Sequence, residues 1–248
     1  MEANLLLLAA VCYQANMRTT RRGNYVLPRG FNEVISLTSD NYPLAGFIIE
    51  SPSEIVVAFR GTEEAIDVIT DLDWFQIPYP FVENSGWTDC GFTKDYQSIR
   101  NDVIQALKKL STNKRLFITG HSLGAAIATL AALDIATNTA FTQPHVYTYA
   151  SPRVGNFDFA NMYNQTIHHS LRVVNTNDLI PHFPPTAIPF LPITYRHVEK
   201  KYPIGFQNFS ISGNHEIANY FCRLSKMFKQ VHNEICRENP KLCPPYKG

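Results

Sequence analysis

Residues 119–124, Thr119-Gly120-His121-Ser122-Leu123-Gly124, set a serine in the frame G-x-S-x-G. The apolar run Leu116-Phe117-Ile118 precedes it and the small pair Ala125-Ala126 follows, the pattern of a strand, a sharp turn and a helix. A serine on such a turn stands above a sheet edge, where its hydroxyl can attack a carbonyl carbon. Gly120 and Gly124 are needed sterically, because a side chain at either position would crowd the backbone that presents Ser122. The hydroxyl is a weak nucleophile until a base takes its proton, and that base is most often a histidine oriented by a carboxylate.

Where a serine elbow of this kind serves hydrolysis, the partners follow it in the order Ser, Asp or Glu, His. Asp178 satisfies the first requirement, in a loop after the apolar run Leu171–Asn175. His215 satisfies the second, in Ser212-Gly213-Asn214-His215-Glu216 just before a terminal helix. The rival acid is Asp158, within a predicted helix, and the rival base is His182, too close in sequence to Asp178 for an easy triad angle. His121 reads as a packing partner of the nucleophile. His168 and His169 read as the close of a helix, where they would meet its dipole. His145, His197 and His232 have no partner legible in sequence. His232 and Cys236 are four apart on a predicted helix, but no CxxC or HExxH accompanies them, so no metal site is expected.

These residues need a scaffold. Helices are predicted over 3–16, 92–110, 123–136, 157–164 and 214–236. Strands are predicted over 33–37, 44–49, 54–59, 115–119, 145–149 and 171–175, with a hairpin at 194–207. Residues 176–192 form a loop with Pro at 181, 184, 185, 189 and 192. Strands alternating with helices through the middle imply an α/β fold with a mostly parallel central sheet covered on both faces. Ligand sites in such sheets lie at the carboxyl ends of the strands, where Gly61-Thr62, Ser122 and Asn175–Asp178 all fall. At 248 residues and 45% hydrophobic content the chain suits one domain, 1–248.

The formal net charge of +1, without a basic block, excludes a nucleic-acid partner. The run Leu5–Cys12 follows Glu2 rather than a basic segment, lacks a small-x-small cleavage site, and is too short to span a bilayer. It reads as a buried first helix, and the expected compartment is the cytoplasm. Five cysteines are an odd count without a dense framework, so free thiols are the default; an oxidising compartment would allow Cys236–Cys243.

Five segments, in this order, carry a resemblance. They are IVVAFRGT (55–62), TGHSLGAA (119–126), YASPRVGN (149–156), VVNTNDLIPHFP (173–184) and the histidine before the last helix. Together they resemble the lipase (class 3) family, the fungal-type triacylglycerol lipases and their relatives. The resemblance implies an α/β-hydrolase-type fold, Ser122 as nucleophile, Asp178 as orienting acid and His215 as base. It implies an oxyanion hole from the backbone N–H of Leu123 and from Thr62, through its N–H and hydroxyl. It also implies a lid helix at Glu63–Phe75, where Ala65, Val68, Ile69 and Leu72 fall on one face; a lid of this kind could meet a lipid–water interface. No cofactor is implied, the partner is an acyl-ester lipid, and oligomeric state is not legible. Asp89, Ala125 and Asn214 depart from common family residues; the carboxylate of Asp89 is expected to alter charge near the pocket. Trp74, Phe81, Trp87, Phe183 and Phe190 are candidates to line an acyl groove. A triacylglycerol lipase, a monoacylglycerol lipase, a phospholipase A1 and a polysaccharide-ester esterase all fit the same triad. A non-catalytic lipid-binding module is the reading of a different class.

Overall fold

Alternation along β3 (Glu54–Phe59) shows how the layers form. Ile55, Val57 and Phe59 point into one hydrophobic core, and Val56 and Ala58 point into a second. The same period of two splits Ile48 from Phe47 and Ile49 in β2 (Gly46–Glu50), and Leu116 and Ile118 from Phe117 in β6 (Arg115–His121). Strands buried on both faces must carry apolar side chains at nearly every position, which explains their unbroken apolar runs.

The computed structural model describes residues 1–20, 25–39, 44–62 and 74–245. Its main sheet has seven strands in the order β1-β2-β3-β6-β7-β8-β9. The remaining members are β1 (Asn32–Leu37), β7 (His145–Tyr149), β8 (His169–Asn175) and β9 (Lys201–Ile204). β1, β2 and β3 pair antiparallel, and every pairing from β3 to β9 is parallel. A separate antiparallel ribbon joins β4 (Gln76–Pro78) to β5 (Trp87–Asp89).

Helices α2 (Cys90–Leu107), α3 (Leu123–Asn138) and α4 (Phe157–Thr166) build the first core. Helices α1 (Glu2–Thr20), α6 (Ile217–Met227) and α7 (Lys229–Glu238) build the second. α1 lies between the sheet and the last two helices, so its Leu5–Cys12 run is buried almost all round. α3 is buried from Leu123 to Ala136, and its one charge in that stretch, Asp134, is paired. Arg100 of α2 donates to both Asp134 oxygens at 2.7 and 2.9 Å, and Tyr96 donates at 2.6 Å. A carboxylate this deep is tolerated only because its lone pairs are filled, and it ties α2 to α3.

The α/β architecture, a mostly parallel sheet covered by helices on both faces, is as expected, and several elements differ in detail. α2 starts two residues early because the Asp89 carboxylate caps it, accepting from Phe92 N–H at 3.0 Å. Residues 194–207 are not a hairpin; they hold the edge strand β9, whose pairing with β8 alone tolerates Pro203. The predicted helix 214–236 is broken into α5 (Ile211–His215), α6 and α7 by non-helical backbone at Glu216 and Phe228. β4 and β5 went unpredicted, since three residues carry too little periodicity to read. The expected lid segment falls largely on residues 63–73, outside the described residues. Among the described residues, no helix is long and apolar enough to cross a membrane.

Candidate active site

β6 ends at His121 and α3 begins at Leu123, so Ser122 alone makes the turn between them. Its backbone sits at φ 58°, ψ −123°, a region that side chains other than glycine rarely adopt. The surrounding packing holds it there. Ser122 N–H donates to Tyr149 C=O at 3.0 Å. A Cβ on Gly120 would lie 2.1 Å from Gly124 O, and one on Gly124 would lie 2.4 Å from Phe59 O. Both glycines are therefore required for the first turn of α3 to press against the end of β3, the strand that leads into Gly61-Thr62.

Asp178 stands three residues past the end of β8, and its Oδ1 accepts from Ile180 N–H at 3.0 Å. His215 closes the short helix α5. Its Nδ1 lies 2.9 Å from Asp178 Oδ2 and 3.1 Å from Oδ1, and its Nε2 lies 2.8 Å from Ser122 Oγ. An ionised carboxylate only accepts, so Nδ1 carries the proton and Nε2 offers a lone pair to the Ser122 hydroxyl. All three side chains are buried. The structure thus brings together the serine, acid and base expected from sequence. His182 and Asp158 bond to none of them: His182 ends a 3₁₀ turn over Ile180–His182, and Asp158 lies in the first turn of α4.

Tyr220 is a residue that sequence reasoning missed. Its hydroxyl donates to Asp178 Oδ2 at 2.6 Å and accepts from Asn175 N–H at 3.0 Å. Burial, then the charge of Asp178, pushes its phenol pKa well above the ordinary value, so it remains a donor. The available signal was its position on the buried stripe Ile217, Tyr220, Phe221, Leu224, where a phenol needs a polar partner. Asn175 adds a second brace, donating from Nδ2 to Asn214 C=O at 3.0 Å. Asn214 accepts from Asn208 N–H at 2.7 Å, so it serves as an acceptor that tethers the loop leading into α5.

The two expected oxyanion donors flank the serine in different ways. Leu123 N–H is in the first turn of α3, where a helix has no earlier carbonyl to occupy it. Thr62 Oγ1 is buried and, among the described residues, has no hydrogen-bond partner. Such an orphan is costly unless something else binds it. A cavity of about 490 Å³ opens here, lined by Gly61, Thr62, His121 and His215 together with Tyr13 and Asn16 of α1.

His121 packs its ring 4.7 Å from that of His215 and donates from Nε2 to His215 C=O at 2.7 Å. Burial, with His215 beside it, drives its pKa well below the ordinary range, so it is neutral and unsuited to proton transfer. His169 does not close a helix; α4 stops at Thr166, and His169 opens β8 with its ring stacked 4.5 Å from His145. Cys236 is bonded to Cys243, which removes it as a metal ligand beside His232, and no cluster of metal-binding side chains exists among the described residues. Asp89 is a buried cap rather than a charge at the pocket: it accepts from Phe92 N–H and from Tyr195 hydroxyl at 3.0 Å, and burial raises its pKa. Phe81 belongs to the core, edge-on to Tyr79 and Tyr96, whereas Phe190 is fully exposed and Trp87 about half exposed.

Comparison with known proteins gives this geometry a context. The family model of lipase (class 3) matches residues 56–188, more than half of the chain. The secreted mono- and diacylglycerol lipase A of Penicillium cyclopium is 34% identical over 169 residues, covering 66% of this chain; the chain spans about half, 53%, of that relative's length. A Rhizomucor miehei lipase in complex with its propeptide superposes with a TM-score of 0.72 at 26% identity, over 81% of this chain and 67% of that one. A triacylglycerol lipase described as having a serine protease triad for its catalytic centre superposes with a TM-score of 0.69 at 26% identity, over 81% and 79% of the two chains. The Penicillium relative's secretion overturns the expectation of a cytoplasmic protein. The reading of Leu5–Cys12 as a buried helix was right, but burial of a helix carries no information about compartment. With a family match across 56–188 and the lipase architecture around it, the chain belongs to the lipase (class 3) family.

Proposed function

We propose that this chain is a serine ester hydrolase that cleaves fatty-acyl esters, acylglycerols among them, through an acyl-enzyme on Ser122. The observation that carries this reading is the continuous hydrogen-bonded line from Asp178 through His215 to Ser122 Oγ, with links of 2.9 and 2.8 Å. His215 Nε2 takes the serine proton as Oγ adds to the acyl carbonyl. Leu123 N–H and Thr62 stabilise the oxygen as it gains charge; removing one such donor costs about 3–4 kcal/mol in comparable sites. His215 then protonates the departing alcohol, and the ester becomes an acyl-serine. Water, deprotonated by the same nitrogen, attacks that ester and releases the fatty acid and the free serine. Asp178 keeps Nδ1 protonated and the ring oriented throughout, and Tyr220 keeps Asp178 in place.

The lipid character of the substrate is supported by the names of the relatives, mono- and diacylglycerol lipase and triacylglycerol lipase. It is supported as well by exposed apolar residues on the loops that follow β8 and β9. Leu179, Phe190, Leu191 and Phe209 stand on those loops and Ile211 opens α5, all after the carboxyl ends of strands at the edge of the sheet that holds the site. This edge, with the segment expected to form a lid, is the surface proposed to meet aggregated lipid. Residues 1–248 are proposed to act as one domain, and the working compartment as extracellular, in keeping with the secreted relative and with the Cys236–Cys243 disulfide. A hydrolysis panel of p-nitrophenyl esters and acylglycerols, run below and above the aggregation limit of each substrate, tests the reading. Turnover of acyl esters supports it, with a rate jump at the limit if the lid moves; absence of turnover on every ester overturns it.

A further inference from the structure

Asn16 lies near the end of a helix that otherwise serves the core, yet its side chain reaches the active site. Its Oδ1 accepts from Gly61 N–H at 3.0 Å, and its Nδ2 lies 3.4 Å from His121 Nδ1. On the far side of the ring, His121 Nε2 lies 2.7 Å from His215 C=O. The direction of each bond follows from elementary donor and acceptor rules. A carbonyl only accepts, so Nε2 carries the proton. A buried neutral ring has one proton, so Nδ1 is a lone pair. Asn16 must then turn its amide N–H toward His121 and its oxygen toward Gly61. The backbone confirms how tight this corner is: a Cβ on Gly61 would approach within 2.7 Å of His121 O.

We propose that Asn16 is a positioning residue for the oxyanion hole, bridging the Gly61-Thr62 backbone to the carbonyl of His215 through the ring of His121. The bridge locks the Gly61-Thr62 segment and the base to one frame, so that Thr62 and His215 keep their places relative to Ser122. A shift of the Gly61-Thr62 peptide by a fraction of an ångström would weaken the Thr62 donors in the transition state while leaving ground-state binding of the substrate nearly unchanged. The inference rests on the proposed role of Ser122, and wild-type turnover tests that role separately.

The experiment compares wild type with Asn16→Ala and with Asn16→Leu, which keeps the volume. Active sites are titrated with a fluorophosphonate, so that misfolded molecules are not counted. Per active site, kcat on p-nitrophenyl butyrate should fall about tenfold with KM within about twofold, and the inhibition constant of an alkyl trifluoromethyl ketone, which forms a tetrahedral adduct, should rise by a similar factor. A merely structural role would lower the titrated fraction or the melting temperature and leave both per-site constants alone; that result overturns the proposal. An independent test leaves Asn16 in place. ¹⁵N spectra of histidine-labelled protein, with His197→Gln removing the other ring whose Nε2 donates to a carbonyl, should show His121 as the neutral Nε2–H tautomer from about pH 5 to 9. A His121 ring protonated on Nδ1, or one that titrates in that range, overturns it.

Discussion

The Tyr220 hydroxyl lies 2.6 Å from Asp178 Oδ2, on the same oxygen that His215 Nδ1 approaches at 2.9 Å. The carboxylate is thus gripped from α6 as well as from its own loop. Tyr220→Phe removes one donor from Asp178 and leaves the buried Asn175 N–H without its acceptor. The expected cost is about 1–2 kcal/mol in stability, with kcat lowered about fivefold at unchanged KM. Urea unfolding and steady-state kinetics on a soluble ester measure the two effects.

Two partly buried groups drive stability in opposite directions with pH. Burial holds His197 down at about 2, whereas a free histidine titrates near 6.5. Below pH 6.5 the unfolded chain binds the extra proton, so stability falls with pH by up to about 1.4 kcal/mol per unit from this group. Asp95 acts in the other sense: burial, then the charge of Asp89, raises it from 3.8 to about 6. The folded chain binds that proton first, so Asp95 destabilises above pH 6 and ceases to do so below about 4. His197→Gln should flatten the acid loss, and Asp95→Asn should raise the urea midpoint at pH 8 but not at pH 4.

Asp134 is fully buried and holds Arg100 and Tyr96. Asp134→Ala leaves the buried Tyr96 hydroxyl unpaired beneath α3 and strips the partly exposed Arg100 guanidinium of its carboxylate, with an expected loss of about 2–3 kcal/mol. Activity per folded molecule should stay within about twofold, because none of these groups touches Ser122 or His215. Denaturant melts with active-site titration separate the two quantities.

The Cys236–Cys243 bond closes a loop whose carbonyls, Lys241 and Leu242, are held by the buried Gln14 amide. Replacing both cysteines by serine should cost about 2 kcal/mol, the entropy of so short a loop, and leave kcat unchanged. Thermal melts of the oxidised, reduced and double-serine forms check this.

What the sequence revealed about the site depended on local geometry. The elbow was legible because Gly120 and Gly124 are forced by backbone contacts that any residue string must respect. Asp178 and His215 were legible because chain order and strand ends restrict where partners can sit. Tyr220 was hidden, since its hydrophobic spacing on α6 masks a polar tip whose partner lies 42 positions away. Asn16 was hidden in the same way, at the end of an apolar helix whose purpose looked complete. The role of Asp89 was misread because an N-cap and a pocket carboxylate look alike until the helix start is known. The last helix was predicted as one piece because its apolar spacing runs on across the breaks at Glu216 and Phe228. Compartment was misjudged for a different reason, as burial of Leu5–Cys12 is equally compatible with either side of a membrane.

The central claim is that Ser122 is a nucleophile activated by His215. It is tested most directly by treating the protein with a fluorophosphonate and locating the adduct by mass spectrometry. The account predicts one phosphonylated residue, Ser122, with labelling abolished in Ser122→Ala and slowed by at least about a hundredfold in His215→Ala, while all three proteins remain folded. Labelling at another serine, or undiminished labelling and ester hydrolysis in Ser122→Ala, would contradict it.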